Sequence, residues 1–267
     1  MGAVELARSI GTNPLLSFVT ALLLLLIAVS VCWFALHHFY IRRRRLPDAV
    51  AARSFAATVV LGFVSIAAAA ALFALLSNAV AGEGWLSRAD QALTDALRAN
   101  VSTPMLQSFA ALTFLTNTPT LWAIGAAVSI ALLWRRQWMF ALAWSVALAG
   151  NGILTRTLKT IFARTRPEFE HELLTVQGWS FPSGHSSGAA VAYGMLAYLL
   201  LRFTPIRWHL WIVLAATALA FTIGCSRIFL QVHYFSDVMA GFASGTAWLA
   251  VCILAAETIR TRRISRV

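Results

Sequence analysis

Residues 138–167 read WMFALAWSVALAGNGILTRTLKTIFARTRP. The run from Trp138 to Leu158 carries a single charge, Arg156, and is as long as the roughly 20 residues a helix needs to cross a bilayer. It then delivers the chain to Lys159, Arg166 and Pro167. Two more polar clusters follow the same rule of position. PSGH, 182–185, opens the next apolar run, and SRIFLQVHYFSD, 226–237, closes the one after it. Charged and titratable groups beside membrane-length apolar segments are costly, so they mark functional positions by default. Between Lys159 and Asp237 the question is whether three polar islands form one site.

Outward from this stretch the pattern repeats. Apolar runs occupy about Leu15–Phe39, Phe55–Leu76, Thr120–Trp134, Trp138–Leu158, Ser186–Leu201, Trp208–Gly224 and Val238–Thr258. The chain is 60% hydrophobic and 12% charged, about half the charge of an ordinary soluble domain. Long apolar runs without β-alternation give an all-α, polytopic membrane bundle, since only helices and closed barrels satisfy the backbone in lipid. Pro104–Asn117 is a further apolar segment leading into the third crossing, interrupted at Asn117-Thr118-Pro119. Residues 85–99 place Trp85, Leu86, Ala89, Leu93, Ala96 and Leu97 at helical spacing, with Arg88, Asp90, Asp95 and Arg98 on other faces. That pattern predicts a short amphipathic helix at the interface, either packed on the spans or guarding substrate entry.

The net charge of +11 does not point to nucleic acid, because the arginines cluster at the ends of apolar runs. Arg42–Arg45, Arg135-Arg136, Arg202–Arg207 and Arg260–Arg266 set topology and favour anionic headgroups. With all four on the cytoplasmic side, seven spans fit if the N-terminus is outside. The alternation then puts Lys159–Phe181 and Ser226–Asp237 together on the non-cytoplasmic face. His37-His38 ends the first run, where interfacial histidines snorkel. The first run, with Glu5 and Arg8 ahead of it and four arginines behind it, reads as a retained span and not a cleaved leader. The expected division is an accessory N-terminal span and basic linker, residues 1–53, and a six-span core with a basic tail, residues 54–267. Cys32, Cys225 and Cys252 have no paired or ligand-like spacing, so no disulfide framework, metal or cofactor is implied.

The three clusters have complementary chemistry. Lys159, the only lysine among 21 basic residues, joins Arg166 and Arg227 on the side that the positive-inside rule depletes. Three converging cations call for an anion, and arginine binds phosphoryl oxygens in bidentate fashion. Ser183, Gly184 and His185 open a helix whose free N–H groups face the same anion, with Ser183 placed to cap. His233 and Asp237 are four residues apart, so on a helix they share a face. A carboxylate can hold one imidazole nitrogen protonated and leave the other to attack. His185 remains to protonate a leaving group.

Lys159-x6-Arg166-Pro167, Pro182-Ser183-Gly184-His185 and Ser226-Arg227-x5-His233-x3-Asp237 resemble the three-part signature of the type 2 phosphatidic acid phosphatase superfamily. That superfamily includes membrane lipid phosphatases and soluble vanadium-dependent haloperoxidases. The resemblance spans about Phe55–Thr258 and shows no departure at signature positions. It implies His233 as the nucleophile, forming a phosphohistidine, with Asp237 to orient it and His185 as the general acid. Lys159, Arg166, Arg227, Ser183 and Gly184 would hold the phosphoryl group, with no metal. The implied activity is a lipid phosphatase or diphosphatase of a bacterial inner membrane, acting at the outer face. Undecaprenyl diphosphate, phosphatidylglycerophosphate and phosphatidic acid are the candidate substrates. A phosphotransferase with a non-water acceptor would carry the same motifs. A non-catalytic lipid-binding or transport protein is the other alternative, and no inverted repeat of the transporter kind is visible.

Overall fold

The computed structural model describes residues 2–43, 49–82, 84–167 and 177–264. The Arg44–Asp48 linker, Glu83, the loop carrying Glu168, Glu170, His171 and Glu172, and Arg266 lie outside them.

Every regular element among the described residues is a helix. The helices are α1 (Ala3–Thr12), α2 (Pro14–Arg43), α3 (Ala49–Val80), α4 (Trp85–Asn100), α5 (Thr103–Thr113), α6 (Thr118–Trp134), α7 (Trp138–Phe162), α8 (Gly184–Phe203), α9 (His209–Phe229) and α10 (Phe235–Ile264). Six of them are long and apolar enough to cross a membrane, and the bent pair α5–α6 makes a seventh if it counts as one span. At 1.5 Å per residue, α7 is about 37 Å long, ample for a hydrocarbon core of about 30 Å. Large apolar side chains such as Leu16, Leu24, Phe63, Leu75, Trp122 and Ile153 stay exposed on the outside of the bundle, where water would penalise them and lipid does not. The protein is an integral membrane protein with multiple spans.

Helix α8 is the most enclosed of the long helices, and its small residues make that possible. Along α10, Gly241 and Gly245 face α8, where a Cβ on Gly241 would lie 2.5 Å from the Ser183 carbonyl oxygen. A Cβ on Gly245 would lie 2.8 Å from that of Ser187. Two small residues four apart let the helix backbones approach closely. The same approach lets the Ser183 amide donate to the Asp237 carbonyl at 2.9 Å. Helix packing therefore brings the second and third polar clusters side by side.

Several element ends depart from the sequence-based expectation. Helix α7 continues through Phe162, which puts Lys159 inside its last turn. Ala163 then stops it in the left-handed region, at φ 42°, unusual for a residue with a Cβ. Helix α9 runs to Phe229, so Ser226 and Arg227 lie in its last turn. Helix α10 begins only at Phe235, which leaves His233 in the preceding turn. The expected shared helix face of His233 and Asp237 is therefore wrong: Asp237 sits in the first turn and accepts from the Tyr234 amide at 2.9 Å, an N-terminal cap.

Helix α1 was not foreseen. It packs on α4, with Gly11 closely against Ala96. Phe18 of α2 lies against Phe109, Phe221 and Phe229, so the first span is seated on α5 and α9. Helix α4 is where the amphipathic pattern put it, but Asp90 is only 2% exposed. Its polar face turns toward α10 at that point and not toward solvent. The interruption at Asn117 is a 44° bend between Thr103–Thr116 and Thr118–Trp134.

Candidate active site

The C-terminal end of α7, the N-terminal end of α8, the C-terminal end of α9 and the N-terminal end of α10 converge; the first two carry one motif each and the last two share the third. His233 is 2% exposed and Asp237 fully buried. The His233 and Val232 amides both donate to the Arg227 carbonyl, at 3.2 Å each, which ties the nucleophile candidate to the end of α9.

The imidazole is held on both sides. Arg166 Nη1 donates to His233 Nε2 at 3.1 Å and to the Val232 carbonyl at 2.7 Å. A guanidinium is always a donor, so Nε2 is the acceptor and the ring proton sits on Nδ1. Nδ1 lies 3.5 Å from Asp237 Oδ2, too long for a direct hydrogen bond. The Ser180 hydroxyl fills the gap, 3.2 Å from Nδ1 and donating to Asp237 Oδ2 at 2.5 Å. Burial pushes the imidazole down to about 3, with Asp237 opposing and the charges of Arg166 and Arg227 reinforcing. His233 is therefore neutral at ordinary pH, as attack through Nε2 requires.

The cations surround this pair. Lys159 Nζ donates to the carbonyls of Trp179 and Ser180. Arg166 also donates to the carbonyls of Gly178 and Trp179, at 2.9 and 3.1 Å. Burial lowers the Arg166 pKa and Asp237 partly restores it. Arg227 is 2% exposed. Its Nη1 donates to Thr113 Oγ1 at 2.8 Å, while its buried Nε has no partner among the described residues. A buried donor left unmatched is costly, and an incoming anion would satisfy it.

Ser183 caps α8 as expected, accepting from the Ser186 amide at 3.4 Å and the Ser186 hydroxyl at 3.0 Å. Gly184 is the first residue of the helix; a Cβ there would meet Thr155 at 3.4 Å and Lys159 at 4.0 Å. His185 Nε2 is 3.0 Å from Asn117 Oδ1, and its ring lies within Coulombic range of Arg227, His233, Arg166 and Lys159. All eight residues singled out in the sequence thus gather at one end of the bundle.

Five contributors escaped the sequence reading. Ser180 has no motif spacing to mark it. Asn117 and Thr113 come from the α5–α6 bend, where the broken apolar run was the only signal. Arg164 lies inside the x6 of the first motif, and Asp90 lies on α4. Arg164 Nη1 donates to Asp237 Oδ1 at 2.7 Å and to Ser236 Oγ at 2.8 Å, and Nη2 to Asp90 Oδ2 at 3.0 Å. Among the described residues no group of three or more His, Cys, Asp or Glu is placed to hold a metal ion. The site is instead a cationic cradle around a neutral histidine, fit for a phosphoryl group.

Residues 138–260 match the model of the PAP2 superfamily. Phosphatidylglycerophosphatase B of Bacillus subtilis is 33% identical over 129 residues, 48% of this chain and 61% of that protein. A lipid A 1-phosphatase of Rhizobium johnstonii is 32% identical over 110 residues, 38% of this chain and 41% of that protein. The chain thus spans roughly two fifths to three fifths of the length of these relatives. The crystal structure of a transmembrane PAP2-type phosphatidylglycerolphosphate phosphatase from Bacillus subtilis superposes with a TM-score of 0.66 at 26% identity, covering 73% of this chain and 97% of that one. The matched region contains all three motifs and the four helix ends that carry them, and over it the chain is similar to membrane lipid phosphatases of the PAP2 superfamily.

Proposed function

We propose that the protein hydrolyses a phosphate or diphosphate group from a membrane lipid through a phosphohistidine on His233. The observation that carries this is the buried, neutral His233, its Nδ1 turned to Ser180 and Asp237 and its Nε2 turned to Arg166, beside an Arg227 Nε with no partner.

A phosphoryl group entering the cradle gives Arg166 and Arg227 oxygens to bind and draws Arg166 off Nε2. Nε2 then attacks phosphorus; the N–P bond forms as the bond to the lipid oxygen breaks. His185 supplies the proton that the departing oxygen needs. Asp237, through Ser180, stabilises the positive charge that develops on the imidazole. In the second half-reaction water attacks phosphorus, His185 takes its proton, and His233 is restored. Lys159, Arg166 and Arg227 balance the charge of the transition state, so no step calls for a metal. Four cations, Lys159, Arg164, Arg166 and Arg227, face two carboxylates, Asp90 and Asp237, an excess of two positive charges that matches a dianionic terminal phosphate.

A lipid substrate fits the surroundings. An apolar groove between α3, α7 and α10 is lined by Phe73, Leu154, Leu158, Ala247 and Trp248, and Leu158 is the residue before Lys159. The relatives named above act on phosphatidylglycerophosphate and lipid A phosphates by name, which supports a terminal lipid phosphate here. Undecaprenyl diphosphate and phosphatidic acid complete the panel. Arg135-Arg136 and Arg202–Arg207 lie at the opposite ends of α7 and α8 from the site, which supports a non-cytoplasmic active face in a bacterial inner membrane. Residues 1–53 are then an accessory to the 54–267 core.

The test is phosphate release from this panel by purified protein in detergent, with chelator and with added lipid or sugar hydroxyls. Release that survives chelation supports the assignment. No release from any member, or strict dependence on added magnesium, would defeat it. A phosphorylated acceptor in place of free phosphate would make it a phosphotransferase.

A further inference from the structure

The three motifs leave Arg164 unexplained. It is 14% exposed and both of its terminal nitrogens are taken: one by Asp237 Oδ1 and Ser236 Oγ, the other by Asp90 Oδ2. Its guanidinium lies 4.3 Å from the centre of the Tyr234 ring, a further hold on the cation. Three of its five N–H donors are thus committed to side chains of α4 and α10. Asp90 accepts from the Ser236 amide at 3.1 Å and from the Ser236 hydroxyl. It comes from α4, a helix that shares no motif with the site and is itself packed on α1.

Asp237 is fully buried, and a buried carboxylate without a cation takes up a proton. The motif cations Arg166 and Lys159 act on it through space but do not touch it: Arg166 donates to backbone carbonyls and His233, and Lys159 to backbone carbonyls. With Oδ1 on Arg164, Oδ2 is left for the Tyr234 amide, the Ser180 hydroxyl and the imidazole side. We propose that Arg164 and Asp90 are positioning residues for the phosphoryl transfer: Arg164 holds Asp237 ionised with Oδ2 toward His233, and Asp90 fixes Arg164 in that pose from α4. This rests on the phosphatase assignment above. Asp237 and Asp90 together keep Arg164 more firmly charged than usual despite its burial, while burial raises Asp90 against the hydrogen bonds from Ser236 and Arg164. The inactive partner of this device is the interfacial helix that sequence pattern alone would assign to membrane surface.

The groups around Asp237 are Arg164 and Arg166 from the loop, Lys159 from α7, and His233 and Tyr234 from the turn before α10, while Arg227 of α9 and Asp90 of α4 act on its partners His233 and Arg164. Removing Arg164 deletes the one cation in direct contact with the carboxylate. The active form needs the carboxylate ionised, so activity is lost at higher pH on the acid side. A neighbouring arginine is worth about 1–3 pH units to an aspartate.

The experiment compares Arg164→Gln, Arg164→Lys and Asp90→Asn with wild type as full-length protein in detergent, folded fraction checked by size exclusion. For Arg164→Gln we expect kcat about 100-fold lower, KM within about threefold, and the acid limb of kcat/KM moved up by about 1–3 pH units. Arg164→Lys restores the limb but not the full rate. Asp90→Asn lowers kcat without moving the limb up. A KM that rises in step with the fall in kcat would make Arg164 a phosphate ligand and overturn the proposal. So would an Arg164→Gln limb identical to wild type, the result for a mere structural staple. Infrared pH titration, with Asp237→Asn as the subtraction control, reads the same carboxylate without turnover. Protonation of Asp237 at unchanged pH in Arg164→Gln would overturn the proposal even if wild type released no phosphate, an outcome that by itself defeats only the phosphatase assignment.

Discussion

Removing the Ser180 hydroxyl isolates the link between His233 and its carboxylate. Ser180 is fully buried, and its hydroxyl stands between His233 Nδ1, at 3.2 Å, and Asp237 Oδ2, at 2.5 Å. In Ser180→Ala the imidazole is left 3.5 Å from Oδ2. A hydrogen bond to a charged group contributes about 1.5–3 kcal/mol, which translates into roughly a 10- to 150-fold loss of rate if all of it is felt in the transition state. The true loss belongs near the lower end, because a shift of about 0.5 Å brings Nδ1 into direct contact with the carboxylate. We therefore expect kcat to fall about 10- to 30-fold with KM nearly unchanged, since Ser180 faces the far side of the ring from the phosphoryl group. The assay is steady-state phosphate release across a range of lipid phosphate in mixed micelles. Wild-type kcat in Ser180→Ala would refute the bridged arrangement, and a change confined to KM would place Ser180 on the substrate side.

Three further outcomes follow from the geometry. Asn117→Ala removes the partner 3.0 Å from His185 Nε2; kcat falls about tenfold, and a substrate whose leaving group needs no proton, such as a nitrophenyl phosphate, is spared. Gly241→Val places a side chain 2.5 Å from the Ser183 carbonyl; overpacking of about 1–3 kcal/mol lowers Tm in detergent and activity together, whereas Gly152→Val, where a Cβ meets nothing within 4 Å, leaves both near wild type. The third concerns acid stability. His233 titrates near 3 when folded against an ordinary 6.5, so only the unfolded chain gains a proton as pH falls from 6.5 toward 3. That costs stability at a slope of about 1.4 kcal/mol per pH unit. Thermal melts of His233→Gln should therefore lose less stability than wild type across this window and match its pH dependence above 6.5.

The parts legible in the sequence were those that act through local pattern. Apolar runs gave the spans because lipid imposes length and composition on each helix independently. Lys159, Arg166 and Arg227 stood out as cations on the side that the positive-inside rule depletes, and Asp237 as the only acidic residue between Glu172 and Glu257. Ser183 was readable as a cap because capping is decided within three residues. The rest depends on contacts distant in sequence. Asn117 meets His185 across 68 positions, and Arg164 meets Asp90 across 74; no spacing rule links either pair. Asp90 misled because an amphipathic pattern assigns every charge to solvent, while α4 packs against the site and needs one buried carboxylate there. The relation of His233 to Asp237 misled in a subtler way. Their spacing is that of neighbours on a helix, yet the chain turns between them and the aspartate caps the helix it begins.

The most direct measurement is capture of the covalent intermediate. Wild-type protein mixed with a lipid phosphate radiolabelled in its terminal phosphate, denatured in alkali within milliseconds and digested, should yield one labelled peptide containing His233. The label should be stable to base and labile to acid, as a phosphoramidate is. His233→Ala should carry no label and release no phosphate. Label on any other residue, or phosphate release at the wild-type rate from His233→Ala, would contradict a phosphoryl-transfer site centred on this histidine.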